Sequence, residues 1–393
     1  MRPGDTTRRV IADDDALRAF CDALRGAQSV GLDTEFIRER TYVPVLETVQ
    51  VAAPGRCALI DRRGVGDLAP LAQVLLNPRI EKVLHAAEQD LELLKPAVGG
   101  VPAPIFDTQI AAAMLGYGPQ LSLNDLLERA LGESKRHSES RADWSHRPLP
   151  AKLIEYALDD VCSLLAVHDH LRERLVAIGR LEWAREEFHD LEAAAAKPPP
   201  DDRRLYTRVR GYSALSRRGL AILRELASWR EAEARRLNQP RGRILRDEAL
   251  VALARRAPTD PNDLGAARWT PARALQVHAQ EIVAAVRRGL AADKQDLPLK
   301  PRPARAAGDG VIELMQAVAR KRAEEHQIGV HLLAAREDLA RLLGHARGEP
   351  QPDLPLLHGW RWDLLGRDLV GLLEGRLSVA VDPATGDLTV RSS

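Results

Sequence analysis

Apolar and polar positions change rhythm about a third of the way along the chain. Ser29 to Ile37, Val45 to Val51 and Cys57 to Asp61 are apolar runs of strand length, the last two joined by the turn signal Ala53-Pro54-Gly55-Arg56. Ahead of them, Asp13 to Leu24 repeats its apolar residues at helical spacing. Asp67 to Leu76 predicts a helix stopped by Asn77-Pro78, Lys82 to His85 a short strand, and Ala87 to Leu94 a helix. Ile105 to Asp107 is a fifth strand that feeds the helical run Thr108 to Leu115. Strands first, then strand and helix in alternation, predict an α/β sheet covered by helices and partly antiparallel at its start.

From Leu121 onward the spacing is helical, interrupted by the polar loop Gly132 to Arg147, and Pro150 opens a long helix through about Arg174. The stretch from Ala193 to Asp202 carries three consecutive prolines, which end any helix and form a stiff spacer. Beyond it the pattern is helical and repeats. Leu223, Leu226, Ala234, Ile244, Glu248 and Leu250 recur at a constant offset as Ile312, Met315, Ala323, Leu333, Glu337 and Leu339, and each copy then reaches a tryptophan, Trp269 or Trp360. Two small helical bundles account for this, with the Pro-, Lys- and Arg-rich stretch from Ala292 to Gly308 between them. The expected division is 1–195, 205–291 and 309–393, with linkers at 196–204 and 292–308.

Composition narrows the class. With 393 residues, 45% of them hydrophobic and 29% charged, the chain is globular and long enough for two or three domains. No stretch has the ~18 uninterrupted apolar residues of a spanning helix, and no leader-like apolar segment opens the chain. Cys21, Cys57 and Cys162 are far apart and odd in number, without metal spacing or a disulfide framework, which fits a reducing cytoplasm. The net charge of +1 says nothing about partners, but between Arg203 and Arg256 arginines outnumber acids about threefold. That suits either a phosphate-contacting face or a solvated basic helix.

Within the strand at Ser29 to Ile37 stands Asp33-Thr34-Glu35. Side chains alternate along a strand, so Asp33 and Glu35 share one face while Leu32, Thr34 and Phe36 take the other. Such a pair suits a hard cation, or else faces solvent on an edge strand. A second acidic feature, His85-Ala86-Ala87-Glu88-Gln89-Asp90-Leu91, follows a strand and enters a helix, placing Asp90 where open α/β sheets assemble their sites. A helix-dipole acid is the alternative. In the long helix Tyr156 and Asp160 are four residues apart and share a face, while Asp159 points elsewhere. Phe36, Tyr42 and His85 are candidates for stacking on bases or sugar, with packing an equal account.

Taken together, these features resemble the ribonuclease D family, in the tyrosine branch of the exonucleases named for their four acidic residues. Asp33-Thr34-Glu35, His85 through Leu91, and Tyr156 through Asp160 match its three motifs. Arg40-Thr41-Tyr42 with Pro44, Gln50, Asp107-Thr108-Gln109, and Ser138 through Trp144 add to the likeness. His137 stands where relatives commonly carry lysine, so a phosphate contact there is in doubt. Leu223 to Leu250, with Trp229-Arg230-Glu231 and Asn238-Gln239-Pro240, resembles the HRDC domain shared with RecQ-type helicases, and the repeat from about Val311 resembles a degenerate second copy without the Trp-Arg-Glu signature.

The resemblance implies a ribonuclease H-like mixed sheet flanked by helices, followed by two small all-α HRDC-like domains. It further implies a 3′-5′ exoribonuclease using two Mg²⁺ or Mn²⁺ ions on single-stranded RNA 3′ ends, with transfer RNA precursors as the family substrate. Asp33, Glu35, Asp90 and Asp160 would be the metal ligands and Tyr156 would orient the attacking water. A cytoplasmic monomer, away from membranes, is expected. A single-stranded DNA exonuclease or a catalytically silent nucleic-acid-binding scaffold are the alternatives.

Overall fold

The structure is a computed structural model that describes residues 6–133, 139, 142–198, 201–266, 277–300, 309–350 and 354–392. Trp269, Lys135, His137, Ser138, Ser140 and Arg141 lie outside them. The chain forms two compact units, one of residues 1–35, 47–196 and 304–393, the other of residues 36–46 and 197–303.

The first unit is built on a six-stranded sheet. Its strands are β1 (Thr7–Ile11), β2 (Ser29–Ile37), β3 (Val45–Ala53), β4 (Arg56–Asp61), β5 (Glu81–Leu84) and β6 (Ile105–Asp107), in the order β1-β4-β3-β2-β5-β6. β3 and β4 are antiparallel, joined through Gly55 at a positive φ of 80°, while β5 runs parallel to both β2 and β6. The sheet is thus mixed, as the early hairpin predicted. Helices α1 (Asp14–Asp22), α2 (Ala69–Leu75), α3 (Glu88–Val98), α4 (Thr108–Met114), α5 (Leu123–Leu131), α6 (Ala151–Ala177) and α7 (Leu181–Ala196) complete this part. The consecutive residues Thr48 to Val51 on β3 and Cys57 to Ile60 on β4 are all essentially inaccessible, so these strands are covered on both faces.

One strand escapes a pattern-based reading. β1 has the sequence Thr-Arg-Arg-Val-Ile, four of its five residues are exposed, and it pairs parallel with β4 as an edge strand. Its two adjacent arginines break any apolar alternation, so only pairing reveals it. The cysteine expectation also needs correcting. Cys57 on β4 and Cys162 on α6, 105 residues apart, form a disulfide, because α6 packs against β4; sequence spacing carries no trace of that contact.

α6 is the element that closes the site. Ala157, Val161, Leu164, Val167, Leu171 and Leu175 form its buried stripe. It crosses β2 at Gly31, where a Cβ would stand 2.9 Å from the Val161 carbonyl oxygen. Any larger residue there would push away the helix turn that carries Asp160.

The C-terminal part of this unit holds α12 (Asp309–Glu325), α13 (Val330–Leu333) and α14 (Arg336–Ala346), then further helical turns through Leu373. It docks on the sheet domain through Glu187 of α7, which accepts from both Arg361 terminal nitrogens at 2.6 Å, and through stacked Trp183 and Trp360, 5.5 Å apart. The expectation of an all-α second bundle is amended here. Leu377–Val381 and Leu388–Ser392 form an antiparallel hairpin. The apolar alternation of Leu377, Val379 and Val381 suits a strand, and Gly386 at φ 76° turns the chain.

The second unit contains α8 (Arg217–Leu237), α9 (Arg241–Ile244), α10 (Asp247–Arg256) and α11 (Ala279–Ala291) around a core that includes Leu223, Leu226, Leu250, Leu253, Ile282 and Val286. α11 comes so close to α8 that a Cβ at Gly289 would lie 2.4 Å from the Ile222 Cα. The order of long helix, single turn and helix in α8–α10 recurs in α12–α14 at the offset seen in the sequence.

Candidate active site

Asp33 and Glu35 lie on β2, Asp90 in the first turn of α3, and Tyr156 and Asp160 on α6. The fold brings all five together. Burial raises the Asp33 carboxyl well above the ordinary carboxylate range, and the charges of Asp90 and Asp160 raise it further. Burial, then the charges of Asp33, Asp160 and Asp90, pushes Glu35 up to about 9. Asp90 is pushed up to about 7 by burial, partly countered by a hydrogen bond from the Thr34 hydroxyl to its Oδ1. Burial also raises the Tyr156 hydroxyl above its usual range, helped by the charge of Asp160 and by a hydrogen bond to that residue. Asp159, in contrast, pairs with Arg8 at 2.7 Å on β1.

The four half-buried or buried carboxylates, two of which, Asp33 and Glu35, are held back from ionising by their neighbours as well as by burial, form a hard-oxygen donor set, the kind that suits a divalent cation. Among the described residues, no three His, Cys, Asp or Glu side chains stand as a ready-made coordination shell. The fit therefore rests on donor chemistry. A positive ion among these acids would offset the burial that raises Asp33, Glu35 and Asp90 and the repulsion that raises Asp33 and Glu35 further.

Two supporting residues have roles that motif order alone did not assign. Thr34, on the strand face opposite Asp33 by alternation, fixes the Asp90 carboxyl. Asp107 accepts from the backbone N–H groups of Ala87 at 2.8 Å, Gln109 at 2.8 Å and Ile110 at 3.1 Å. It therefore caps α4 and pins the turn entering α3, in which Ala86 has a φ of 57°. The signal was the strand-end position of Asp107 directly before a helix.

The stacking candidates are engaged otherwise. His85 Nε2 lies 2.9 Å from the Leu121 carbonyl oxygen and Nδ1 2.9 Å from the Thr108 hydroxyl; burial lowers its pKa, so the neutral ring donates from Nε2. Within the second unit, the Tyr42 hydroxyl donates to the buried Glu231, and the guanidinium groups of Arg241 and Arg235 lie 5.0 and 5.7 Å from its ring centre. The Arg38 guanidinium lies 5.5 Å from the Phe36 ring. Packing accounts for all three.

Comparison with known proteins bears directly on this constellation. A 3′-5′ exonuclease family model matches residues 8–176, which include all five residues, and an HRDC domain model matches residues 219–286. The chain is 38% identical over 381 residues to ribonuclease D of Acidiphilium cryptum, covering 94% of each chain. It is likewise 38% identical over 382 residues to ribonuclease D of Gluconacetobacter diazotrophicus, covering 95% of this chain and 94% of that one. The crystal structure of Escherichia coli RNase D, described as an exoribonuclease involved in structured RNA processing, superposes with a TM-score of 0.86 at 31% identity, covering 94% of this chain and 99% of that one. The chain belongs to the ribonuclease D family. It is a 3′-5′ exoribonuclease of RNA processing, with a mixed α/β exonuclease core and a C-terminal helical HRDC region. Divalent metal dependence is a property of this exonuclease family, and the acid cluster is where the chain offers the matching donors. Among the described residues, no helix is long and apolar enough to cross a membrane.

Proposed function

We propose that Asp33, Glu35, Asp90 and Asp160 hold two divalent ions, Mg²⁺ or Mn²⁺, at the 3′ end of a single-stranded RNA, and that Tyr156 orients the attacking water. The burial of Asp33 and Glu35 beside the charges of Asp90 and Asp160 supports this reading. Ions bound there would activate water and stabilise the attacking and leaving oxygens of a phosphodiester displacement. Tyr156, its hydroxyl kept protonated by its surroundings and hydrogen-bonded to Asp160, suits a positioning role and not that of a base. Thr34 holds the Asp90 carboxyl, and Asp107 pins the turn that leads into its helix. We read residues 1–195 as the catalytic domain, 205–291 as the HRDC domain and 309–393 as a degenerate second copy. The substrates we propose are transfer RNA precursors, trimmed by a cytoplasmic monomer to 5′-mononucleotides.

The test is Asp33→Asn, which removes one charge at nearly constant shape. Hydrolysis of 5′-labelled single-stranded RNA should fall to background with an unchanged circular dichroism spectrum. Turnover like that of the wild type would remove Asp33 from the site. Matched DNA and 3′-blocked RNA strands in the same assay test sugar and end preference.

A further inference from the structure

The arginine excess of the HRDC unit sorts into two populations. Arg235 pairs with Asp202 at 2.7 Å, Arg236 with Glu233 at 2.6 Å, and Arg241 reaches Glu231 Oε1 at 2.7 Å. Arg208, Arg210 and Arg246 are exposed, and their guanidinium groups have no partner among the described residues. All three line one cavity of about 430 Å³, together with Arg230 and Arg241. Two separate pieces of chain supply the unpaired groups: the turn Asp202–Arg208 with the loop that directly follows it, and the N-cap position of α10.

The cavity is built, not incidental. Arg230 is 8% exposed; its Nη1 donates to Leu245 O at 2.9 Å and Asp247 Oδ1 at 2.7 Å, while its buried Nε has no partner. Asp247 Oδ2 also accepts from the Arg210 backbone N–H at 2.8 Å, which fixes the loop carrying that side chain. Two of the three lining acids, Glu231 and Asp247, are thus committed to arginines, and Glu248 is exposed without a side-chain partner among the described residues. Positive charge remains in excess within a concave wall, where fields are focused. Guanidinium forks match phosphate oxygens. No aromatic side chain lines the cavity, so it offers nothing on which a base would stack.

We infer that this cavity binds a backbone phosphate of an RNA strand, independently of base sequence. The inference rests on the exoribonuclease reading for its choice of ligand and adds a second, non-catalytic contact within the HRDC unit. Phosphate contacts of this kind position a strand without reading it.

The experiment measures binding of a 3′-blocked, unstructured oligoribonucleotide to the full chain by fluorescence anisotropy across a salt series, with chelator present. Arg208→Gln with Arg246→Gln should weaken binding about tenfold and flatten the log–log salt slope by about 1.4, near 0.7 per lost contact. The matched pair Arg203→Gln with Arg255→Gln, exposed arginines outside the cavity, should change affinity by less than about twofold. Glu248→Gln should tighten binding about two- to threefold, a gain that structural damage would not produce. Oligo(A) and oligo(U) should respond alike. Equal losses from the two arginine pairs would overturn the cavity site and leave a diffuse basic face. Tighter binding of inorganic phosphate, AMP or poly-glutamate than of RNA would overturn the RNA assignment. Wild-type protein that neither binds nor trims RNA would instead sink the exoribonuclease reading.

Discussion

Replacing Asp90 by Asn should stabilise the metal-free protein while abolishing its activity. Asp90 is 9% exposed and its pKa is pushed up to about 7. That is about three pH units above an ordinary aspartate, or ~4 kcal/mol at most against the ionised form at pH 8. The sign follows from the raised value. The group's contribution to stability is complete below about pH 4, where the unfolded carboxyl is protonated, and is lost as pH rises through about 7. Asn keeps the Oδ1 that accepts from Thr34 and forfeits only the attraction of a charge near a helix N-terminus, ~0.3–1 kcal/mol. The remaining acids share the repulsion and adjust their own protonation, so a net gain of about 1–3 kcal/mol is expected. In a domain of this size that raises the unfolding temperature by ~2–10 °C. Thermal unfolding in chelator at pH 8 and pH 5 reads the effect directly. The variant should lead at pH 8, the gap should narrow by pH 5, and added Mg²⁺ should reverse the order by stabilising only the intact site. An Asp90→Asn protein no more stable than wild type at pH 8, or equally favoured at both pH values, would refute burial of the ionised carboxyl as a cost to the metal-free fold.

Two further substitutions probe neighbouring claims. Tyr156→Phe should lower single-turnover hydrolysis about ten- to a hundredfold while leaving the Kd for 3′-blocked RNA within about twofold, since positioning is lost and binding is not; a change confined to Kd would contradict the role. Arg147 donates to both Asp61 oxygens at 2.6 and 2.7 Å and to the Trp144 carbonyl at 2.7 Å, beside the buried Glu47. Arg147→Gln should therefore cost ~3–5 kcal/mol at most in urea unfolding, because it leaves buried Asp61 with only the Arg63 backbone N–H while Glu47 keeps its pair with Arg63, and a loss under about 1 kcal/mol would show Asp61 to be well solvated.

The acids were legible in the sequence because each sits at a position that local pattern defines: mid-strand, strand-to-helix turn, and helix face. The repeat was legible for the same reason, since α8–α10 and α12–α14 preserve spacing within single elements. What stayed hidden depends on contacts between distant segments. β1 becomes a strand only through β4, and Cys57 meets Cys162 only because α6 lies over the sheet. Tyr42, a plausible stacking residue by type, is held by Glu231, Arg235 and Arg241 from almost two hundred residues away.

Thr34 shows why even a recognised motif understates its site. Strand alternation assigns it to the face opposite Asp33 and Glu35, where a small β-branched residue reads as core, and it is indeed 6% exposed. Yet α3 begins beside β2, because β5 pairs parallel with that strand, and Asp90 arrives within reach of the Thr34 hydroxyl. Gly31 acts in the same way from one turn of the strand earlier, admitting the α6 backbone that carries Asp160. The middle of β2 therefore contributes three kinds of constraint within five residues: a close approach at Gly31, ligand candidates at Asp33 and Glu35, and a clamp at Thr34. A fold that uses a central strand of its sheet to gather acids in a buried setting is organised around whatever neutralises them, which is why the cost of the cluster in the metal-free protein is the most direct measure of its purpose.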